Sequence, residues 1–288
     1  IEPCTDVAKE IIKKGYDTHI KYFDKKLVKY LKKKYQKFDI ITANHVCAHV
    51  ESLKDFFLGV KNLLKPDGIF VFEVSYRGSV LKKNTFDTIY HEHLDYHSLS
   101  SIVKFLKKFN LKLFDFNLTK AQGGSIRIYA SKKLRYANKK KITNQIFKER
   151  INYKLFDVCT YKKFEKKINR CRVKLQNIFS IFDKKKFNVV GYGAAAKTTT
   201  FLHYFDLSNT KQIKKIFDDN ILKQNLYLPG TAIKILNPEY LDFKNVDIII
   251  IFAWNYSDII IQKIKKSIKN NNKNIKYLIP FPSPKIVK

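Results

Sequence analysis

The sequence predicts an α/β protein in which two sheet-and-helix domains follow one another. Three observations carry this. Short apolar runs rich in β-branched and aromatic residues alternate with segments of helical periodicity in both halves. A lysine-rich stretch without Gly or Pro separates the halves. The strand-like run "FNVV" opens straight into "GYGAAAK", a glycine turn that leads into a helix. At 288 residues the chain is long enough for two hydrophobic cores, since single cores stop growing at roughly 250 to 300 residues.

Taken in order, the opening "IEPCTDVAKEIIKKG" reads as a strand end running into a helix, so the chain is expected to begin inside a domain. "KFDIITANHV" and "GIFVFEVSY" read as strands, and "SLKDFFLGVKNLLKPDG" between them has helical spacing and a Pro-Asp-Gly stop. "LKLFDFNLT" and "GGSIRIYASKK", joined by a short connection, are expected to close one sheet edge antiparallel. From residue 136 to 183 apolar residues recur at helical intervals among lysines, which predicts one or two long helices with a solvated charged face. "IKKIFDDN", "YLPGTAIKIL", "VDIIIIFAW" and "IKYLIPF" supply further strands after the glycine turn, and the polar tract 269–274 reads as a loop. The expected organisation is a partial Rossmann-like domain over residues 1–134, a helical connector over 135–184 and a second Rossmann-like domain over 185–288.

A formal net charge of +32 would ordinarily suggest nucleic acid or an anionic membrane as partner. The distribution argues against both. Lysine outnumbers arginine 51 to 6 and is spread from end to end, whereas a nucleic-acid footprint favours clustered Arg able to make bidentate contacts. Apolar runs fall far short of the ~20 residues of a membrane span, and the N-terminus has no signal-peptide pattern. Cys4, Cys47, Cys159 and Cys171 share no C-x-x-C spacing and read as reduced thiols of a cytoplasmic protein, with no metal site visible.

Two places carry chemistry. "FDTIYHEHLDYHSLS" gathers His91, His93 and His97 with carboxylates and tyrosines. A carboxylate beside an imidazole fixes its tautomer and raises its basicity, as a general base near neutral pH requires. Metal binding is the rival reading, but His91 and His93 lack a third ligand at a recognisable spacing. In "GYGAAAK", Gly191 and Gly193 allow a tight turn and Lys197 lies one turn into the helix. That arrangement suits a pyrophosphate at a helix N-terminus, and equally a purely structural turn. Ala196 replaces the third glycine of the dinucleotide fingerprint. Asp218 and Asp219 follow at about the distance, some twenty residues on, of a ribose-binding acid, which keeps a nicotinamide-dependent oxidoreductase open. Glu2 stands where such an acid would end a nucleoside-binding strand, although the glycine turn that would come about twenty residues earlier is not in this chain.

Together "IEP", "FDIITANHVCAHVESLKDFFLGVKNLLKPDGIFVFEV", "FDTIYHEHLDYHSL", "GGSIRIYA", "GYGAAAKTTTFLHYF", "DDNILKQNLYLPGT" and "IFAWNY" resemble the S-adenosylmethionine-dependent sugar C-methyltransferases that act on nucleotide-linked 4-keto-6-deoxyhexoses. The resemblance runs in order over nearly the whole chain. It implies a methyltransferase domain followed by a C-terminal Rossmann-like domain. The zinc-binding domain that opens the family, and the first strand and glycine loop of the methyltransferase domain, have no counterpart in these residues. It also implies that Tyr90, Glu92 and His93 form the Y-H-E-H motif, with His93 the base and Tyr90 and Glu92 against the sugar. His49 matches a second sugar-facing histidine, Glu2 the ribose acid, and Ala43 and Asn44 the strand end beside the cofactor. His45 stands where asparagine is expected, and Gln122 where histidine is frequent.

The implied reaction explains the crowding of proton-handling groups. A ketone at C4 acidifies the C3 proton, His93 would remove it, and Tyr90, His49 and Glu92 would stabilise the oxyanion and position the sugar. His97, Asp95 and Tyr96 read as structural. The nucleotide diphosphate is expected on the basic C-terminal domain at Gly191, Gly193 and Lys197. A non-catalytic nucleotide-binding remnant is the other alternative.

Overall fold

A computed structural model describes residues 1–133, 137–208, 212–268 and 274–288. The expected boundary at 134/135 and most of the tract 269–274 fall outside those residues. The chain divides into two compact units, Ile1–Gly78 with Glu92–Leu155, and Ser79–His91 with Phe156–Lys288.

In the first unit α1 (Thr5–Lys13), α2 (Lys25–Tyr35), β1 (Phe38–Asn44), α3 (Leu53–Leu63) and β2 (Leu64–Ser75) come in order. α4 (Arg77–Lys83) then carries the chain into the second unit. After its return the chain forms α5 (Leu99–Lys107), β3 (Lys112–Thr119), β4 (Ser125–Ser131), α6 (Lys139–Phe147) and a π-helical turn, Lys148–Asn152. The four strands lie in the order β1-β2-β4-β3. β1 and β2 are parallel with α3 as their crossover, while β4 runs antiparallel to both β2 and β3, as the sequence predicts.

α3 starts where the Ser52 hydroxyl accepts the Asp55 N–H at 3.2 Å, and it buries Phe56, Phe57, Val60 and Leu63 along one face. Phe56, Phe57 and Val60 meet Phe70, Phe72 and Val74, alternate residues of β2, and Leu99, Ile102 and Leu106 of α5, while Leu63 packs with Leu27, Val28 and Leu31 of α2. Each such side chain contributes about 1.5–3 kcal/mol on burial. One expectation is corrected. Ile1–Cys4 forms no strand: among the described residues Glu2 has a single backbone bond, its N–H to the His19 carbonyl at 3.0 Å, and one bond is not a ladder.

The second unit holds α7 (Val158–Lys184), β5 (Val189–Tyr192), α8 (Ala196–Tyr204), β6 (Ile213–Phe217), β7 (Lys234–Leu236), β8 (Ile248–Ile251), α9 (Ser257–Ser267), β9 (Lys276–Ile279) and β10 (Lys285–Val287). The sheet order is β10-β9-β8-β5-β6-β7, parallel except for β10. Strand order reverses between β5 and β8, the switch point of a Rossmann-like sheet. α7 explains its lysine content: Phe164, Ile168, Cys171, Leu175, Phe179 and Phe182 make one buried stripe, three or four residues apart, and the rest faces water. That stripe packs with Phe201, Phe205 and Phe281, and with Val80 and Phe86 from the 79–91 excursion. The helical stretch 137–184 is therefore two helices, α6 within the first unit and α7 within the second.

Candidate active site

Ala43, Asn44, His49 and His93 gather at the carboxyl end of β1 and β2. Ala43, buried, and Asn44, exposed, end β1. His45 then turns the chain off the strand in a left-handed conformation, φ 55°. Its N–H donates to the Glu73 carbonyl at 2.8 Å, and its Nε2 lies 3.5 Å from Glu73 Oε1. A short turn, His49 N–H to Val46 O at 2.9 Å, presents the exposed His49. The returning segment is registered against this loop by Leu94 N–H to Ala48 O at 2.8 Å. That bond brings the half-buried His93 ring to 4.9 Å from the His49 ring, with the planes 57° apart.

Glu92 is exposed beside His93, whereas Tyr90 and His91, with rings 6.1 Å apart, belong to the second unit. The structure thus unites His49 with His93 and divides the Y-H-E-H motif between the units. Glu2 is half-exposed, and its Oε1 accepts the Cys4 N–H at 2.8 Å.

Glu73 is a residue the sequence reading missed. It is 2 % exposed and accepts from Arg127 Nε at 2.7 Å, its register neighbour on β4, and from Thr119 Oγ1 at 3.0 Å. A buried carboxylate needs partners of this kind. The available signal was an acid inside the apolar run "GIFVFEVSY". Burial holds the His45 imidazole below its usual range against the pull of Glu73, with His49 and Arg127 reinforcing the shift, so the ring is neutral near pH 7.

Next to this cluster His97, Tyr96, Cys47, Phe57, Phe72 and Phe105 line a pocket of about 250 Å³. His97 Nε2 is buried with no hydrogen-bond partner among the described residues. Burial, opposed by Asp95 and reinforced by Arg77, lowers its pKa. Burial also pushes the Cys47 thiol up to about 12, which leaves it inert.

In the second unit the glycine turn is accounted for by packing. A Cβ at Gly191 would come within 2.6 Å of Phe252 and 2.7 Å of Ile216. At Gly193, with φ +96°, it would meet Ala253 at 2.8 Å. The Ala194 N–H, an amide a pyrophosphate could use, donates to Asp218 Oδ2 at 2.6 Å. Asp219 accepts from the Tyr192 hydroxyl at 3.0 Å and pairs with Lys263.

The Lys197 ammonium lies 3.8 Å from Asp87 Oδ2 and 4.7 Å from the Trp254 ring centre, and it donates to Asn255. Trp254 Nε1 donates to the same Asp87 oxygen at 2.5 Å. Burial outweighs attraction for both charges: it raises the pKa of Asp87 against the pull of Lys197, and lowers that of Lys197 against Asp87. Asp87 and Trp254 are also residues that spacing could not connect.

Among the described residues no three or more His, Cys, Asp and Glu side chains are arranged to hold a metal ion. No described helix is long and apolar enough to cross a membrane.

Residues 120–282 match the family described as C-methyltransferase C-terminal domain, and residues 3–115 match the one described as Methyltransferase domain. C-methyltransferase NovU of Streptomyces niveus is 30 % identical over 240 residues, 83 % of this chain and 56 % of that protein, so the chain spans little more than half of that relative's length. Among solved structures, magnesium protoporphyrin IX methyltransferase of Synechocystis PCC 6803 shares 15 % identity at a TM-score of 0.28, covering 34 % of this chain and 46 % of its own. An S-adenosylmethionine-dependent methyltransferase of Clostridium acetobutylicum shares 17 % at 0.27, covering 33 % and 58 %. Overlaps that limited add nothing to the assignment. With the C-methyltransferase C-terminal domain matching more than half of the chain and the methyltransferase domain matched ahead of it, the chain belongs to the C-methyltransferase family.

Proposed function

We propose that the protein methylates a ring carbon of a nucleotide-linked 4-keto-deoxysugar, with S-adenosylmethionine as methyl donor. The observation that supports this most is the His49–His93 ring pair at the carboxyl end of β1 and β2, where sheets of this type bind ligands. A 4-ketone makes the neighbouring C3 proton removable, and an imidazole is the side chain suited to that near neutral pH. In this reading His93 takes the proton at C3. His49, open to solvent beside it, donates toward the oxygen at C4, with Glu92 as a further group for that oxygen and for orientation.

The residues present fit the methyl donor. Asn44 is exposed at the strand end, Ala43 beside it is small, and the Glu2 carboxylate, oriented by the Cys4 N–H, can accept from ribose hydroxyls. When bound, S-adenosylmethionine supplies an electrophilic methyl group. The protein's share is to hold the sugar, remove the proton and keep the carbon in line. The nucleotide diphosphate is not assigned to Lys197, because that ammonium already has Asp87, Asn255 and Trp254 around it.

The test is to incubate the full-length protein with methyl-labelled S-adenosylmethionine and a nucleotide-linked 4-keto-6-deoxyhexose. Label on C3 is the expected outcome. Label on oxygen, or none while both ligands are bound, contradicts the reading.

A further inference from the structure

Glu149 sits in the π-helical turn after α6 and is 0 % exposed, yet the reaction described above makes no use of it. Its Oε1 accepts the Tyr76 hydroxyl at 3.0 Å and the Leu99 N–H at 2.6 Å. Its Oε2 accepts the Ser100 N–H at 2.9 Å and the Ser100 hydroxyl. Gln145, one turn earlier, donates to the Tyr76 hydroxyl at 2.8 Å.

The placement of these donors is what matters. Tyr76 lies two residues before Gly78, where the chain leaves the first unit, and Leu99 and Ser100 open α5 just after the returning segment that holds Glu92 and His93. The two ends meet there directly as well, through Arg77 N–H to His97 O at 2.8 Å and a bridge between Tyr76 and His97. The backbone of Glu149 closes a third crossing: its carbonyl accepts the N–H of Leu155, the last residue of the first unit. A carboxylate on the first N–H groups of a helix satisfies donors that have no partner within the helix. Burial, reinforced by the nearby Glu149 carboxylate, drives the Tyr76 phenol far above its usual range, so it stays a donor at any physiological pH. A single-turn π-helix is also a feature that recurs at functional sites.

We propose that Glu149 is a positioning residue for methyl transfer, fastening Tyr76, just before the chain leaves the first unit, to Leu99 and Ser100, just after the returning segment that carries Glu92 and His93. The proposal rests on the reading that His93, on the returning segment, acts in the site. Glu149→Gln keeps the volume but places an amide nitrogen against backbone donors. In the full-length enzyme, well below its unfolding temperature, it is expected to lower kcat by about 10²-fold, as ångström-scale misplacement of reacting groups does. Cofactor affinity is expected to be unchanged. A merely structural Glu149 would lower the unfolding temperature and leave kcat intact once folded, and that result overturns the proposal.

Should E149Q fail to fold, Tyr76→Phe carries the same test with a smaller loss of kcat, and unchanged turnover in it overturns the proposal. A second readout needs no turnover, and so separates failure of the clamp from failure of the sugar assignment. Proximity signals between the His49 and His93 rings in NMR spectra are expected to vanish in E149Q while β1 to β4 keep their shifts. Retained ring proximity overturns the clamp even if no sugar is methylated.

Discussion

The two units end their parallel strands in opposite ways. At the carboxyl end of β1 and β2, Asn44 and His49 are exposed and His93 is half-buried, and the buried Glu73 is neutralised within the sheet by Arg127. At the carboxyl end of β5 the space is filled. Phe252 and Ala253 press on the two glycines, Asp218 takes the Ala194 amide, and Lys197 is enclosed by Asp87, Asn255 and Trp254. The difference is that the Ala194 amide and the Lys197 ammonium of the glycine turn already have partners, whereas Asn44 and His49 at the other strand end are exposed. Open side chains at a strand end are the better guide.

The largest effect expected from this contrast is at Lys197. Lys197→Ala leaves Asp87 buried without its cationic partner, and losing one partner of a buried ion pair typically costs about 3–5 kcal/mol. Chemical denaturation is expected to show that loss, with nucleotide-sugar affinity of the folded full-length protein unaltered. Intact stability with weakened sugar binding would instead make the second unit's turn a phosphate site and break the comparison.

Glu73→Gln comes next. It removes the charge that Arg127 and His45 face, and a hydrogen bond to a charged group contributes about 1.5–3 kcal/mol. Because Arg127 is 45 % exposed and can turn to water, the loss is expected near the lower bound. It is also expected to slow turnover, since His45 opens the loop that presents His49. A variant of unchanged stability and rate would mean that Glu73 is a bystander.

The smallest effect sharpens the comparison through pH. His45 and His97, both in the first unit, have pKa values lowered by burial, so between those values and 6.5 the unfolded chain binds more protons than the folded one. Stability of the first unit is therefore expected to fall as pH drops below 6.5, and to level off once the folded rings also protonate. His97→Asn is expected to flatten that slope in urea titrations at several pH values. An unchanged slope would remove His97 from the account.

Much of this was legible in the sequence because strand and helix periods differ. The antiparallel edge formed by β3 and β4, the glycine turn after β5 and the striped helix α7 all follow from local pattern. "IEP" misled because a strand requires a neighbour, which local pattern cannot supply. His49 and His93 came from family likeness, but their approach depends on one backbone bond, Leu94 to Ala48, between segments far apart in sequence. Glu73, Asp87 and Glu149 stayed hidden for the same reason. Each is a buried acid whose meaning lies in partners on other elements, Arg127, Lys197 and Tyr76.

The central claim is that His93 removes the proton next to the ketone before the methyl group is transferred. It is tested most directly by following, in deuterated water, both exchange of the C3 proton of the 4-keto sugar and its methylation, in the full-length enzyme and its His93→Ala variant. The account predicts that His93→Ala still binds cofactor and sugar but loses both exchange and methylation. Proton exchange at the wild-type rate with methylation alone lost would contradict it, and would move the base to His49 or Glu92.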